Sequence, residues 1–340
     1  MPGPRLGRSS AAPFRLRWPS TKVSEIPTLA DVRACYRLLL GRQPDPEGLA
    51  HYRHRLATGT TVSQLVAEFL GSVEFARAYP DWRRSGPGTT QLVPTGEGFR
   101  LYVDPTDYAV GHTIARTGAY EPDVTAVVRA TLGQGATFLD VGANIGWFSL
   151  LGAALVGTSG RVVAIEPNPV NVAILANSLR ENGFANVDVL AVAASDQTGM
   201  VALETDGSNG RVIPLDHPPS EPVKASWVVA AQPVDSLINS AGIAQVDLIK
   251  LDVEGAEPLV LRGAAATLAR YRPIIVTEFF PRALESAPWG SPAGYLEELR
   301  GLGYRLSVIG HPAGELNDEE IMKLADQPGS DQVNLLAHPV

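Results

Sequence analysis

The chain has 340 residues, 28 Lys and Arg against 36 Asp and Glu, and a net charge of −8. That length exceeds one ordinary domain, and the acidic balance without a basic block argues against a nucleic-acid surface. A single cysteine, Cys35, excludes an intrachain disulfide or a thiolate metal cluster and fits a reducing compartment, so the expected location is cytoplasmic.

No run reaches the roughly eighteen apolar residues of a membrane span. The opening segment MPGPRLGRSSAAPFRLRWPS is rich in Arg and Pro and lacks the apolar core of a signal peptide, so residues 1–27 read as disordered. Residues 28–80 read as a small helical domain. Leu29, Val32, Tyr36, Leu39 and Leu40 recur at helical spacing. Asp45 and Pro46 open a second helix with Leu49, Tyr52 and Leu56 inward, while His51 and His54 fall on its solvated side. Further helices are expected at Ser63–Leu70 and Ser72–Ala78. Residues 81–97, rich in Pro, Gly, Ser and Thr, read as a linker to a domain over 98–340.

That second domain opens with a short strand at Phe99–Asp104 and two helical stretches that meet at Tyr120, Glu121 and Pro122. Thr137–Val141 is a β-branched and apolar run suited to a buried parallel strand. Gly142 and Gly146 bracket a tight turn, and apolar residues from Ile145 to Val156 predict a helix stopped at Gly157. Arg161–Ile165 is the next strand and ends on Glu166. Asn168 and Pro169 then open a helix through Asn182. Val187–Ala193 reads as the third strand, with Ser195 and Asp196 in the loop beyond it. Residues 199–234 alternate short runs with turn signals and predict an antiparallel excursion. Val246–Leu251 runs into LDVEGAE and a helix through about Ala269; PIIVTEFF follows and places Glu278 at its tip. Tyr304–Ile309 and Gln332–Ala337 close the sheet. Strands alternating with helices predict an α/β, doubly wound, mostly parallel sheet, with a ligand at the strand carboxyl ends.

Those ends carry Asp140, Glu166, Asp196, Asp252 and Glu278. A strand feeding a glycine loop and a helix N-terminus makes a cradle of backbone N–H groups, and an acid at the next strand tip can accept both ribose hydroxyls. The dinucleotide fingerprint needs a third glycine where Trp147 stands, which disfavours a nicotinamide cofactor. A nicotinamide oxidoreductase and a catalytically silent glycan-binding module are the competing readings.

The run from Asp140 to Gly146, acidic-x-Gly-x-Asn-x-Gly, resembles the first motif of S-adenosylmethionine (SAM) methyltransferases. Together with EPDVTAVVRATLGQGATFLDVGANIGWFSLL, VVAIEPNPVNVAILANSLRENG, AVAASDQTG and DLIKLDVEGAEPLVLRGA, it resembles the FkbM-type SAM-dependent methyltransferases over about residues 98–338. The resemblance implies a Rossmann-like methyltransferase fold and methyl transfer to a hydroxyl of a sugar, glycan or polyketide-type natural product. It implies SAM contacts at Asp140, Gly142, Ala143, Asn144, Gly146 and Glu166, with Ser195 or Asp196 near the adenine, and Asp252 and Glu254 facing the transferred methyl. YRLLLGRQPDPEGLAHYRHRL resembles a small bacterial helical domain that accompanies glycan-modifying enzymes.

An alcohol needs a base to attack a sulfonium carbon at neutral pH. Asp252 is the first candidate, Glu254 the second and His112 the third. Asp252 and Glu278, at adjacent strand tips, are also a candidate pair for Mg²⁺ through oxygen ligands. Lys250, two residues before Asp252 on the same strand, is expected to be a buried ammonium with a carboxylate partner.

Overall fold

The computed structural model describes residues 15–17, 29, 32–33, 36, 43–59, 74, 90–214, 227–327 and 331–340. The helices expected at Ser63–Leu70 and Ser72–Ala78, and most of the one beginning near Leu29, lie outside the described residues. Arg15–Arg17 form a short strand, β1, within the segment read as disordered. Helix α1, Pro46–Ala57, starts as expected: Asp45 accepts from the Gly48 N–H, Pro46 takes the first turn, and Tyr52 is buried.

The larger unit begins with a hairpin. Gln91–Pro94 (β2) and Arg100–Val103 (β3) pair antiparallel, so part of the stretch read as linker is sheet. Helices α2 (Gly111–Thr117) and α3 (Pro122–Thr131) follow. Next come β4 (Thr137–Val141), α4 (Trp147–Val156), β5 (Arg161–Ile165), α5 (Pro169–Asn182) and β6 (Val187–Leu190). The third strand is shorter than its apolar run. Val192 N–H turns back to Leu190 C=O, and Ala193–Ser195 (β7) leave for a second sheet.

That second sheet is the antiparallel excursion: β8 (Gly199–Asp206), β9 (Asn209–Pro214) and β10 (Trp227–Pro233) join β7 in the order β7-β10-β8-β9. After α6 (Val234–Ala241) the chain returns with β11 (Leu248–Leu251). The helix expected to run to Ala269 breaks at Ala264 into α7 (Glu257–Gly263) and α8 (Ala265–Tyr271). Then β12 (Ile274–Phe279), α9 (Pro281–Ser286), α10 (Pro292–Gly301), β13 (Tyr304–Val308), α11 (Asp318–Ala325) and β14 (Val333–Pro339) complete the fold.

The main sheet has eight strands in the order β1-β6-β5-β4-β11-β12-β14-β13. It is parallel from β1 to β12, and β14 runs antiparallel between β12 and β13. Alternate residues serve opposite faces. Phe138, Val162 and Val189 pack with α3, α4 and α5 on one face, and Leu139, Val163 and Ile249 pack with α6, α7 and α10 on the other. The chain winds from β4 out to β6, then crosses back to β11 and β12. The order reverses between β4 and β11, and a crevice opens at the carboxyl ends of such a pair. Among the described residues no helix is long and apolar enough to cross a membrane.

Candidate functional site

The crevice at that reversal is a cavity of about 310 Å³, lined by the loop after β4, the tips of β5, β11 and β12, the α2–α3 junction and the β8–β9 turn. Its size is that of a small-molecule site. Gly142 and Gly146 have φ of 82° and 101°, and Asn144 between them has φ 49°. These left-handed residues hold the loop open, so α4 starts at Trp147 rather than Ile145. Glycine is required at 142 for space as well: a Cβ there would lie 1.8 Å from the Asp252 carbonyl oxygen.

The loop does not offer the free N–H cradle its glycines suggest. Gly142 and Ala143 N–H donate to Ile165 C=O, Asn144 N–H to Glu166 Oε2 at 2.8 Å, Ile145 N–H to Asn144 Oδ1 at 2.7 Å, and Gly146 N–H to Ala143 C=O. Glu166 also accepts at Oε1 from Asn168 N–H (2.8 Å) and Asn171 Nδ2 (3.3 Å). It is a scaffold residue with an acceptor site left over, since an ionised carboxylate offers about four. Burial pushes its carboxyl up to about 7 against those donors.

Asp140 lies under the loop rather than in the crevice wall. Its Oδ2 accepts from Ser149 Oγ at 2.5 Å, and its Oδ1 is buried without a hydrogen-bond partner among the described residues. Burial raises its carboxyl to about 6. Across the sheet Asp140 is the register partner of Lys250. The Lys250 ammonium, on a residue 4% exposed, donates to Asp252 Oδ2 at 2.7 Å and stands 4.7 Å from the Phe148 ring centre. Burial alone would lower its pKa, but Asp252, Glu121 and Asp140 outweigh that and hold it above the ordinary value. The expected buried ion pair is therefore present.

The pair does not leave a cation site. With the Lys250 ammonium on Asp252, the place a metal would take beside that carboxylate carries a positive charge already. Among the described residues, no three or more His, Cys, Asp or Glu side chains gather as ligands. The Asp252–Glu278 arrangement does not fit Mg²⁺.

Glu254, in the left-handed region at φ 54°, lines this cavity and also a second one of about 420 Å³ between the β8–β9 hairpin and α9. Burial first, and the Asp252 charge second, push its carboxyl up to about 7. Glu278, 8% exposed, lines the first cavity and is raised well above the ordinary range by burial and by Asp252 and Glu254. Glu257 is structural: its Oε1 accepts from Val253 and Gly255 N–H and shapes the LDVEGAE turn.

Three expected residues stand elsewhere. His112 is exposed on α2, with Nδ1 near Pro105 C=O and its ring against Tyr108. Ser195 and Asp196 are outside the cavity lining: β7 carries them to the second sheet, and Asp196 faces Arg262 at 3.6 Å. Trp147, at the place of a third fingerprint glycine, is 3% exposed and donates from Nε1 to Thr125 Oγ1.

Residues not foreseen complete the wall. Tyr120 and Glu121 enter from the α2–α3 junction, and Ser208 and Asn209 enter from the β8–β9 turn. Asn144 Nδ2 donates to Asn209 Oδ1, Asn171 Nδ2 to Ser208 C=O, and Ser208 N–H to Asp107, which pins the turn over the loop. The sequence sign for Glu121 was an acid before a helix-opening proline between two apolar stretches. Among the described residues, Glu121, Glu166, Asp252, Glu254, Glu278 and Asp331 line the cavity against one cation, Lys250. Burial raises Glu121, Glu166, Glu254 and Glu278, and a positive charge placed among them favours their ionised forms, so the lining is suited to a cationic occupant.

Residues 140–306 match the family model of the methyltransferase FkbM domain, and residues 28–79 match a domain of unknown function (DUF4214). A curated relative, the "probable cobalt-precorrin-6B C(15)-methyltransferase (decarboxylating)" of Sulfolobus acidocaldarius, is 31% identical over 85 residues, 25% of this chain and 44% of that protein. The match thus spans less than half of that relative's length. Among solved structures, a methyltransferase FkbM from Methylobacillus flagellatus aligns with 19% identity over 87% of this chain and 72% of that one, at a TM-score of 0.39. A SAM-dependent O-methyltransferase from Thermotoga maritima aligns with 14% identity over 74% and 77%, at a TM-score of 0.38.

Proposed function

Because residues 140–306 make the chain a member of the FkbM methyltransferase family, we propose that it transfers a methyl group from SAM to a hydroxyl oxygen of a sugar, glycan or polyketide-type natural product. The observation that carries this reading is the acidic wall of the crevice: among the described residues, six acidic side chains and one ammonium line it at the point where the strand order reverses. SAM supplies a methyl on a cationic sulfur, which such a lining attracts. The net charge of −8 supports a small hydroxylated acceptor over a polyanionic one.

Each part of the wall has a task in this reading. Glu166 is fixed by three N–H donors and keeps acceptor capacity for the ribose hydroxyls. Gly142 lets the loop pass against the Asp252 backbone, which brings the β4 and β11 tips together. Glu254 borders both cavities, so an acceptor entering along the hairpin and α9 meets its carboxylate at the junction. A carboxyl near pKa 7 is matched to taking a hydroxyl proton at neutral pH. Asp252 accepts from the Lys250 ammonium, and that bond holds the ammonium and steadies the site. Displacement at a methyl carbon needs alignment and exclusion of water more than covalent help, and a deep walled crevice serves both.

The test is incubation with methyl-labelled SAM and panels of sugars, glycan fragments and polyketide-type alcohols, read by mass spectrometry. A product heavier by one labelled methyl, with S-adenosylhomocysteine released, is the expected result. Failure of the protein to bind SAM or S-adenosylhomocysteine by calorimetry overturns the proposal.

A further inference from the structure

Of the acids lining the crevice, Glu121 alone has a buried side-chain oxygen, Oε2, with no hydrogen-bond partner among the described residues. A buried acceptor left unpaired is costly, and where it persists it marks a place for something else. The backbone agrees: Glu121 holds φ 39°, ψ 67°, left-handed for a non-glycine residue, directly before Pro122, which opens α3. A residue preceding proline avoids compact backbone conformations, so its surroundings must hold it there. Burial raises its carboxyl above the ordinary value, with Lys250 opposing and Asp252 and Asp140 adding to the shift.

Its position says which part of a ligand it meets. The groups that set its charge are on β4 and β11, whereas the ribose-facing Glu166 is at the tip of β5. In SAM the sulfur and amino-acid arm extend from one side of the ribose, and that arm ends in a primary ammonium. Of the other unbonded acids, Glu254 opens onto the second cavity and Glu278 is on β12, within the field of Asp252 and Glu254. Glu121 comes from the α2–α3 junction. Resting on the SAM reading above, we propose that Glu121 accepts the α-ammonium of the donor's methionine arm and so positions the sulfonium over the β4–β11 junction.

The test is calorimetry on the full chain with S-adenosylhomocysteine and with 5′-methylthioadenosine, which shares the nucleoside and thioether but has no amino-acid arm. In Glu121→Gln, S-adenosylhomocysteine should bind about 10- to 100-fold more weakly, the loss of one charge-assisted hydrogen bond, while methylthioadenosine changes less than about twofold. An S-adenosylhomocysteine analogue without the α-amino group, given to the unaltered protein, should bind as weakly as the parent binds to the variant; this arm does not depend on how the variant folds. Equal weakening of both ligands in Glu121→Gln, or full affinity of the deaminated analogue, overturns the proposal. If the unaltered protein binds S-adenosylhomocysteine well and Glu121→Gln binds it equally well, only the role of Glu121 falls. If the unaltered protein binds neither ligand, the SAM reading falls and this proposal with it.

Discussion

Glu166 and Glu254 carry the same side chain, lie on either side of the β4 tip, and are both pushed by burial to about pKa 7. Their surroundings differ. Glu166 accepts from two backbone N–H groups and the Asn171 amide, and the whole glycine loop folds onto it and Ile165. Glu254 accepts no hydrogen bond from the described residues and opens onto two cavities. One half of the crevice is finished before any ligand arrives. The other half keeps charged acceptors in reserve, at a standing electrostatic cost that a scaffold would not retain. The comparison separates holding from reacting, and each half should fail in its own way.

The largest effect is expected where the halves touch. Gly142→Val places a Cβ into the Asp252 carbonyl and a β-branched side chain at φ 82°. Overpacking and backbone strain together come to about 3 kcal/mol. Thermal melting should fall by several degrees and S-adenosylhomocysteine binding should be lost in calorimetry; retained binding would mean the two tips are not rigidly joined.

Next in size is Glu254→Gln. Removal of a general base is worth about 10²- to 10⁴-fold in turnover. Affinity for S-adenosylhomocysteine should stay near the parent's and folding should not suffer, because no group among the described residues donates to this carboxylate. In the parent, the base must be ionised, so kcat/KM should rise with pH through about 7. The variant should lose that limb. A profile unchanged by the substitution would move the reacting role to Asp252.

Glu166→Ala should show the reverse pattern and a smaller effect. It strands Asn144 N–H, Asn168 N–H and the Asn171 amide, and removes the acceptor for the ribose. Affinity should drop about 10- to 100-fold, with a lower melting temperature, while turnover at saturating SAM should change little. Calorimetry beside saturation kinetics would distinguish this from the Glu254 pattern.

The finished half was also the more legible one. Thr137–Val141, Arg161–Ile165 and Ile274–Phe279 are buried on both faces, so each reads as a mostly apolar run with a carboxylate at or near its end. The lysine of DLIKL and the aspartate two residues on are one pleat repeat apart, and the ion pair follows from that spacing. What escaped depends on distant pairing. Glycine spacing showed a tight turn but not that Ile165 and Glu166 would consume its N–H groups. The apolar run through Ala193 concealed a change of sheet, because Ala193–Ser195 find their partner forty residues later in β10. His112 has the residue type of a base, yet its helix buries Gly111 and Ile114 and leaves the imidazole outside. Glu121 reaches the wall from a junction between helices, where no period marks which way a side chain faces.

The smallest expected effect concerns stability, and it weighs both halves together. Glu166, Glu254 and Glu257 are raised to about 7 and Asp140 to about 6, in each case chiefly by burial. A carboxyl whose folded pKa exceeds its unfolded value binds more protons in the native state, so stability falls as pH rises between the two values. The window here runs from the ordinary carboxylate range near pH 4 up to about 7. Above it the loss is complete, and below it none has occurred. Each group can contribute a slope of at most about 1.4 kcal/mol per pH unit. Lys250 does not interfere, since its carboxylate neighbours hold it charged throughout this range. The ligand-free protein should therefore melt higher at pH 5.5 than at pH 7.5. Glu254→Gln should flatten that slope by one group's share, because its cost is burial without donors, and it should raise the melting temperature at pH 7.5. An unchanged slope in the variant would show that Glu254 is already stabilised as the anion in the free protein, which removes the distinction between the two halves at its most exposed point.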